Sequence, residues 1–128
     1  MGVVDGKPTG GLALLLRAEW LAISLAGVVI YLEFGGHPLG LLPLLLAPDL
    51  SMVGYLAGPR VGALSYNLAH NLVVALTVLA AGWFVPVAPL ALTGAVLLAH
   101  VGMDRSLGYG LKLPTDFRDT HLGRIGRG

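Results

Sequence analysis

The chain has no cysteine among its 128 residues. That excludes a disulfide framework, a thiolate nucleophile and any Cys-ligated metal. Charge is scarce too. Asp, Glu, Lys and Arg make up 12%, against about 25% in a soluble domain, too little to cover a water-facing surface. The few charges nearly cancel, leaving +1 at pH 7. The basic patch that nucleic acid requires is absent, so nucleic acid is not an expected partner. What fills the chain is hydrocarbon: 55% hydrophobic residues and a mean hydropathy of +0.80. The expected partner is the lipid bilayer.

A bilayer core of ~30 Å takes about 20 apolar residues per helix. Four segments qualify, at about residues 12–32, 39–57, 61–81 and 86–103. They are separated by the turn-like EFGGHP, GPR and GWFVP. Links this short make neighbouring helices adjacent and antiparallel. The expected fold is therefore an all-α membrane protein, with four antiparallel transmembrane helices in residues 1–104 and a structured cytoplasmic tail in residues 105–128. No small-residue cleavage site follows the first apolar run, so it reads as a span rather than a signal peptide. Lys7 and Arg17 lie at the start of span one, Arg60 between spans two and three, and Arg105, Lys112, Arg118, Arg124 and Arg127 after span four. All fall on one side, which the positive-inside rule makes cytoplasmic, with both termini inside. Tyr31, Phe34, Trp83 and Phe84 then mark an aromatic belt at the outer interface.

The polar residues within these spans carry the functional signal. Asp49 stands mid-way along span two, in LLPLLLAPDLSMVGYLAG. A carboxylate facing lipid is costly, so Asp49 should face the bundle interior, opposite His70, His100 or Arg17. Pro43 and Pro48 each remove a backbone donor and free a carbonyl one turn earlier. Asn67, His70 and Asn71, spaced i, i+3, i+4, share one face of a continuous third helix. His100 and Asp104, at i, i+4, are neighbours on span four, where the carboxylate can fix the imidazole tautomer. Gly54, Gly58 and Gly62, and the row Ala91, Ala95 and Ala99, permit close helix approach.

Imidazole and carboxylate are ligands for a divalent metal such as zinc, iron or manganese. The candidate ligands are Asp49, His70, His100 and Asp104, with His121 of the tail as a fifth, and Asn67 joins the candidate catalytic group. His70 and His100 read as lying at different depths, which disfavours a bis-histidine haem. The same groups are parts of a proton relay, or interhelical glue. The tail itself is rich in apolar residues, from Leu107 to Ile125, and Gly108 and Gly110 permit a sharp turn beside Tyr109. It can cap the polar cluster from the cytoplasmic side or lie on the membrane, anchored by Arg118, Arg124 and Arg127.

The stretches PDLSMVGYLAGPRVGALSYNLAHN and HVGMDRSLGYGLKLPTDFRDTHLGRIG carry long, specific motifs. From about Leu12 onward the chain resembles a bacterial family of small four-span integral membrane proteins catalogued as a domain of unknown function. The resemblance implies a location in the bacterial inner (cytoplasmic) membrane and supplies no activity. Three readings follow. The first is an intramembrane metal-dependent hydrolase with a lipid-like substrate. The second is a proton-linked transporter or channel subunit, as a homodimer because four short helices enclose little volume. The third is an accessory membrane subunit whose cluster fixes helix register. The apolar outer half speaks against a conduit, and the pairing of imidazoles with carboxylates exceeds what glue needs.

Overall fold

A computed structural model describes residues 2–4 and 6–125. A short hairpin comes first, β1 (Gly2–Val4) pairing antiparallel with β2 (Lys7–Thr9). Five α-helices follow: α1 (Gly10–Glu33), α2 (Pro38–Leu46), α3 (Pro59–Ala69), α4 (Leu72–Phe84) and α5 (Ala88–Leu107). A 3₁₀ helix, Ala47–Ala57, continues α2. The tail closes in a hairpin of β3 (Asp119–Thr120) and β4 (Gly123–Arg124). Arg127 lies outside the described residues.

Two helical stretches are long and apolar enough to cross a membrane, Gly10–Glu33 and Pro38–Ala57, with mean hydropathies of 1.9 and 1.6. The pair α3 and α4, bent by 40°, makes a third if taken as one broken span. Two stretches, or three with the bent pair, are thus candidate spans, and the third expected span is not one continuous helix. The expected one-faced helix over Asn67, His70 and Asn71 is interrupted for a local reason. Asn71 is the N-cap of α4, its side chain accepting from the Val74 N–H at 2.8 Å, while His70 ends α3. Asparagine is among the strongest N-cap residues, and here that preference ends one helix and begins another. α5 is the central helix, packed on α1 and α4 with eleven of its residues buried. A helix wrapped by protein does not need a lipid-grade surface, which explains how α5 carries His100, Asp104 and Arg105. The outward leucines do need one: Leu39 and Leu56 are 84% and 89% exposed. With so little charge to cover it, this surface is suited to lipid.

Small residues set the helix spacing. A methyl group on Gly27 of α1 would stand 2.6 Å from the Ala99 nitrogen and 2.9 Å from the Ala95 carbonyl oxygen of α5. Ser24 crosses the same seam, its hydroxyl donating to the Ala99 carbonyl at 2.7 Å. Ala91, Ala95 and Ala99 are fully buried, so this row is a packing face. Tyr31 is a core residue rather than part of an aromatic belt. It is 2% exposed, and its hydroxyl donates to the His37 carbonyl at 2.9 Å. Phe34 and Trp83 do pair edge to face, with ring centroids 5.4 Å apart.

The tail is docked. Gly108, at φ +96°, ends α5 in the left-handed conformation that glycine tolerates. The Asn67 amide then holds Lys112 from both sides: Nδ2 donates to its carbonyl at 2.8 Å, and Oδ1 accepts its N–H at 2.6 Å. Lys112 is itself buried, with Nζ donating to the Phe117 carbonyl at 2.8 Å and lying 3.9 Å from the Phe117 ring centroid. Burial pushes this ammonium below the usual lysine range.

Candidate metal centre

Four side chains from three elements converge: Asp49 of the 3₁₀ helix, His70 at the α3–α4 break, and His100 and Asp104 of α5. Each offers one ligand atom, and these atoms all lie within 4.8 Å of one another. The two Nε2 atoms are 2.9 Å apart. Asp49 Oδ1 is 3.1 Å from His70 Nε2 and 3.2 Å from His100 Nε2. Asp104 Oδ2 is 3.7 Å and 3.2 Å from the same two nitrogens. His70 and His100 are therefore at one depth, not two. A haem between them is excluded by the 2.9 Å separation, which leaves no space for a macrocycle.

The outer ring nitrogens fix the tautomers. His70 Nδ1 lies 2.8 Å from the Tyr66 carbonyl, and His100 Nδ1 lies 2.5 Å from the Leu45 carbonyl. A carbonyl only accepts, so each Nδ1 carries the hydrogen, and in the neutral ring each Nε2 presents a lone pair to the cluster. Both carbonyls are available for backbone reasons. An α-helix continuing past Ala69 would use the Tyr66 carbonyl for the His70 N–H; instead that N–H turns to the Asn67 carbonyl, at 3.4 Å. In a 3₁₀ helix the Leu45 carbonyl would serve the N–H of residue 48, and Pro48 has none.

Further residues hold the ligands in place. The Tyr66 ring stacks on His70, centroids 3.7 Å apart and 5° from parallel, and its hydroxyl donates to Asp104 Oδ2 at 3.2 Å. Arg105 Nη2 donates to the His70 carbonyl at 3.2 Å, and its guanidinium lies 5.6 Å from the Trp20 ring centroid. Sequence reasoning passed over Tyr66 and Arg105. The available signal was position: Tyr66 is one turn before His70, and Arg105 follows Asp104. His70 and His100 are fully buried and Asp104 nearly so, whereas the Asp49 side chain is 39% exposed. Asp49 is the accessible corner.

Two other candidates fall elsewhere. His121 is not in the four-residue group. Its Nδ1 lone pair accepts the Leu111 N–H at 2.8 Å and its own N–H donates to the Leu111 carbonyl, so it closes the tail. Burial, then the neighbouring Arg105 charge, hold His121 below the usual imidazole range. The Asn67 side-chain amide is engaged with the Lys112 backbone and clamps the tail.

Residues 13–125 match the family model described as Domain of unknown function (DUF4260). The chain belongs to that family. Searches of curated proteins and of solved structures return no match. The functional reading of this DUF4260 protein therefore rests on the chemistry of its buried cluster.

Proposed function

We propose that the protein is a membrane-embedded metalloenzyme that hydrolyses a lipid-soluble substrate, with a divalent metal held by Asp49, His70, His100 and Asp104. The observation that carries this reading is the convergence of four lone-pair donors with both Nδ1 hydrogens turned away. A proton on one Nε2 relieves only part of this crowding. A doubly charged cation satisfies all four atoms at once and balances the two carboxylates. Size agrees as well. Donors ~2.0–2.1 Å from a central ion stand about 3.3–3.4 Å apart in a tetrahedron; five of the six separations here run from 2.9 to 3.7 Å, and the sixth, between the carboxylates, is within 4.8 Å.

Such a metal supplies Lewis acidity and water of lowered pKa. The chain's own residues supply the rest. Tyr66 and the two backbone carbonyls orient the buried ligands, as outer partners do in metal sites. Asp49 is the ligand reachable from outside, the group suited to exchange with water and accept its proton. The positive-inside rule supports a cytoplasmic placement of both termini and of the docked tail.

Elemental analysis of protein purified in detergent without chelators tests the reading. One equivalent of zinc, iron or manganese is expected in the wild type, with loss in His70→Ala and His100→Ala variants that keep their helical circular dichroism. A wild type that holds no stoichiometric metal, even after incubation with each ion, removes the proposal in favour of a proton relay or a structural cluster.

A further inference from the structure

A cavity of about 460 Å³ lies between α2 with the start of the 3₁₀ helix on one side and α5 on the other. We infer that it seats one straight alkyl chain of the substrate, so that the substrate class is an aliphatic lipid whose reacting group reaches the cluster; this rests on the metal-centre reading.

The cavity is lined by chain neighbours of the site residues. Its lining includes Pro48, which precedes Asp49, and Leu44, which precedes the residue whose carbonyl holds His100. On α5 it reaches Val96 and Leu97, one turn before His100. Its lining begins at Pro89 and ends at Leu97, so it runs along nine residues of α5, a rise of about 12 Å at ~1.5 Å per residue. A zigzag chain built on ~1.5 Å bonds advances roughly 1.3 Å per carbon, so about nine methylenes fill that length.

The walls select hydrocarbon. Thr93 carries the one side-chain polar atom of the lining, and its hydroxyl is spent on the Pro89 carbonyl at 2.7 Å. Ordered water needs two to four polar partners, and the side chains of this lining supply only the acceptor side of one hydroxyl. A headgroup would be unsolvated here, whereas an alkyl chain makes dispersion contacts along the whole length. Leu44, Ala47 and Thr93 are solvent-accessible in the isolated chain, so the cavity opens sideways toward lipid and a chain can enter without passing through water.

Zinc-loaded protein in a sterol-based detergent that lacks straight alkyl chains provides the test. The probes are butano-, decano- and hexadecanohydroxamate, which share a metal-binding head. Binding is measured calorimetrically, with probe concentration expressed as mole fraction in the micelle. Decanohydroxamate is expected to bind at least about tenfold tighter than butanohydroxamate, a difference of ~1.4 kcal/mol, and hexadecanohydroxamate no tighter than decano-. Thr93→Trp and Leu44→Trp, which fill the cavity from opposite walls, should each abolish the decano- advantage while zinc content and butano- binding stay unchanged. Equal binding of all three probes to zinc-loaded protein overturns the alkyl-chain inference and leaves the metal centre standing. So does an undiminished decano- advantage in both folded variants. A wild type that holds no stoichiometric metal after incubation with each ion overturns both, and the elemental measurement shows which has failed.

Discussion

Two glycine-to-alanine substitutions, chemically identical, should have opposite effects on this protein. Gly27→Ala places a methyl group 2.6 Å from the Ala99 nitrogen and 2.9 Å from the Ala95 carbonyl oxygen. Carbon contacts are comfortable at about 3.5–4.0 Å, so α1 and α5 must separate by roughly 1 Å. Backbone cannot move aside as a side chain can. Overpacking of this kind costs about 1–3 kcal/mol. The separation also stretches the 2.7 Å bond from Ser24 to Ala99 beyond hydrogen-bonding range, adding about 1 kcal/mol. Alanine's better helix propensity returns up to ~1 kcal/mol. The net expectation is a loss of about 1–3 kcal/mol. Gly40 of α2 is the control. A methyl group there meets the Tyr31 hydroxyl at 3.4 Å and a Leu44 methyl at 3.9 Å, both ordinary contacts. Gly40→Ala should therefore be neutral or stabilising by up to ~1 kcal/mol. Reversible unfolding in mixed micelles, followed by circular dichroism, measures both. Because Ala99 is bonded to His100, the Gly27 variant should also bind metal more weakly. If Gly27→Ala unfolds within about 0.5 kcal/mol of the wild type, the claim that small residues set the α1–α5 distance fails.

The Tyr66 hydroxyl and the tail give three further tests. Tyr66→Phe removes the hydroxyl that donates to Asp104 Oδ2; losses of this kind weaken metal affinity about 10–100-fold, readable by competition with a chromogenic chelator, and unchanged affinity would count against the orienting role. Asn67→Ala removes both bonds to Lys112, a loss of about 1–3 kcal/mol that should expose Arg118 and Arg124 to trypsin while leaving the bundle's helicity intact. The tail should also loosen in acid. His121 titrates below its usual range because of burial and then Arg105, so its contribution is complete above the unfolded pKa of about 6.5 and declines as pH falls through the folded value. Protonation also removes the lone pair that takes the Leu111 N–H. Tryptic release of the tail should accelerate as pH falls below about 6.5 in the wild type and lose that dependence in His121→Gln.

Much of the site was legible because burial of charge in hydrocarbon admits few solutions. Asp49, His70, His100 and Asp104 each stood out as ionisable groups in apolar surroundings, and an acid there must seek a partner. Their convergence follows from that requirement, as does the freed carbonyl before Pro48. The continuity of the helices was not legible. Apolar length reports a stretch of chain that lipid will accept, and it does not report whether the stretch is one helix. His70–Asn71 lies inside such a stretch, yet Asn71 caps a new helix there. Periodicity misled for the same reason, since i, i+3, i+4 neighbours share a face only while the helix lasts. His121 was indistinguishable from a ligand in sequence, because an imidazole that closes a tail hairpin and one that binds metal carry the same letter.

The departures from regular helix are where the cluster is built. In an unbroken α-helix each interior carbonyl already accepts a backbone N–H, so a side-chain donor has to share it. The two imidazoles need one acceptor each to hold their Nδ1 hydrogens outward, and in lipid no water can supply it. The protein meets that need by interrupting two helices where acceptors are wanted. The α3–α4 break releases the Tyr66 carbonyl, and Pro48 releases the Leu45 carbonyl. The His70 carbonyl, exposed by the break, is taken up by Arg105. An 11-residue 3₁₀ run is long for a conformation seldom sustained beyond three or four residues. At its start it carries Asp49 and Pro48, the residue that leaves the Leu45 carbonyl to His100. Pro48→Ala tests this account. The restored N–H would compete with His100 for the Leu45 carbonyl, so the variant should gain regular helix by circular dichroism and lose metal affinity together. A gain in helix with metal affinity unchanged would show that the irregular backbone has another origin.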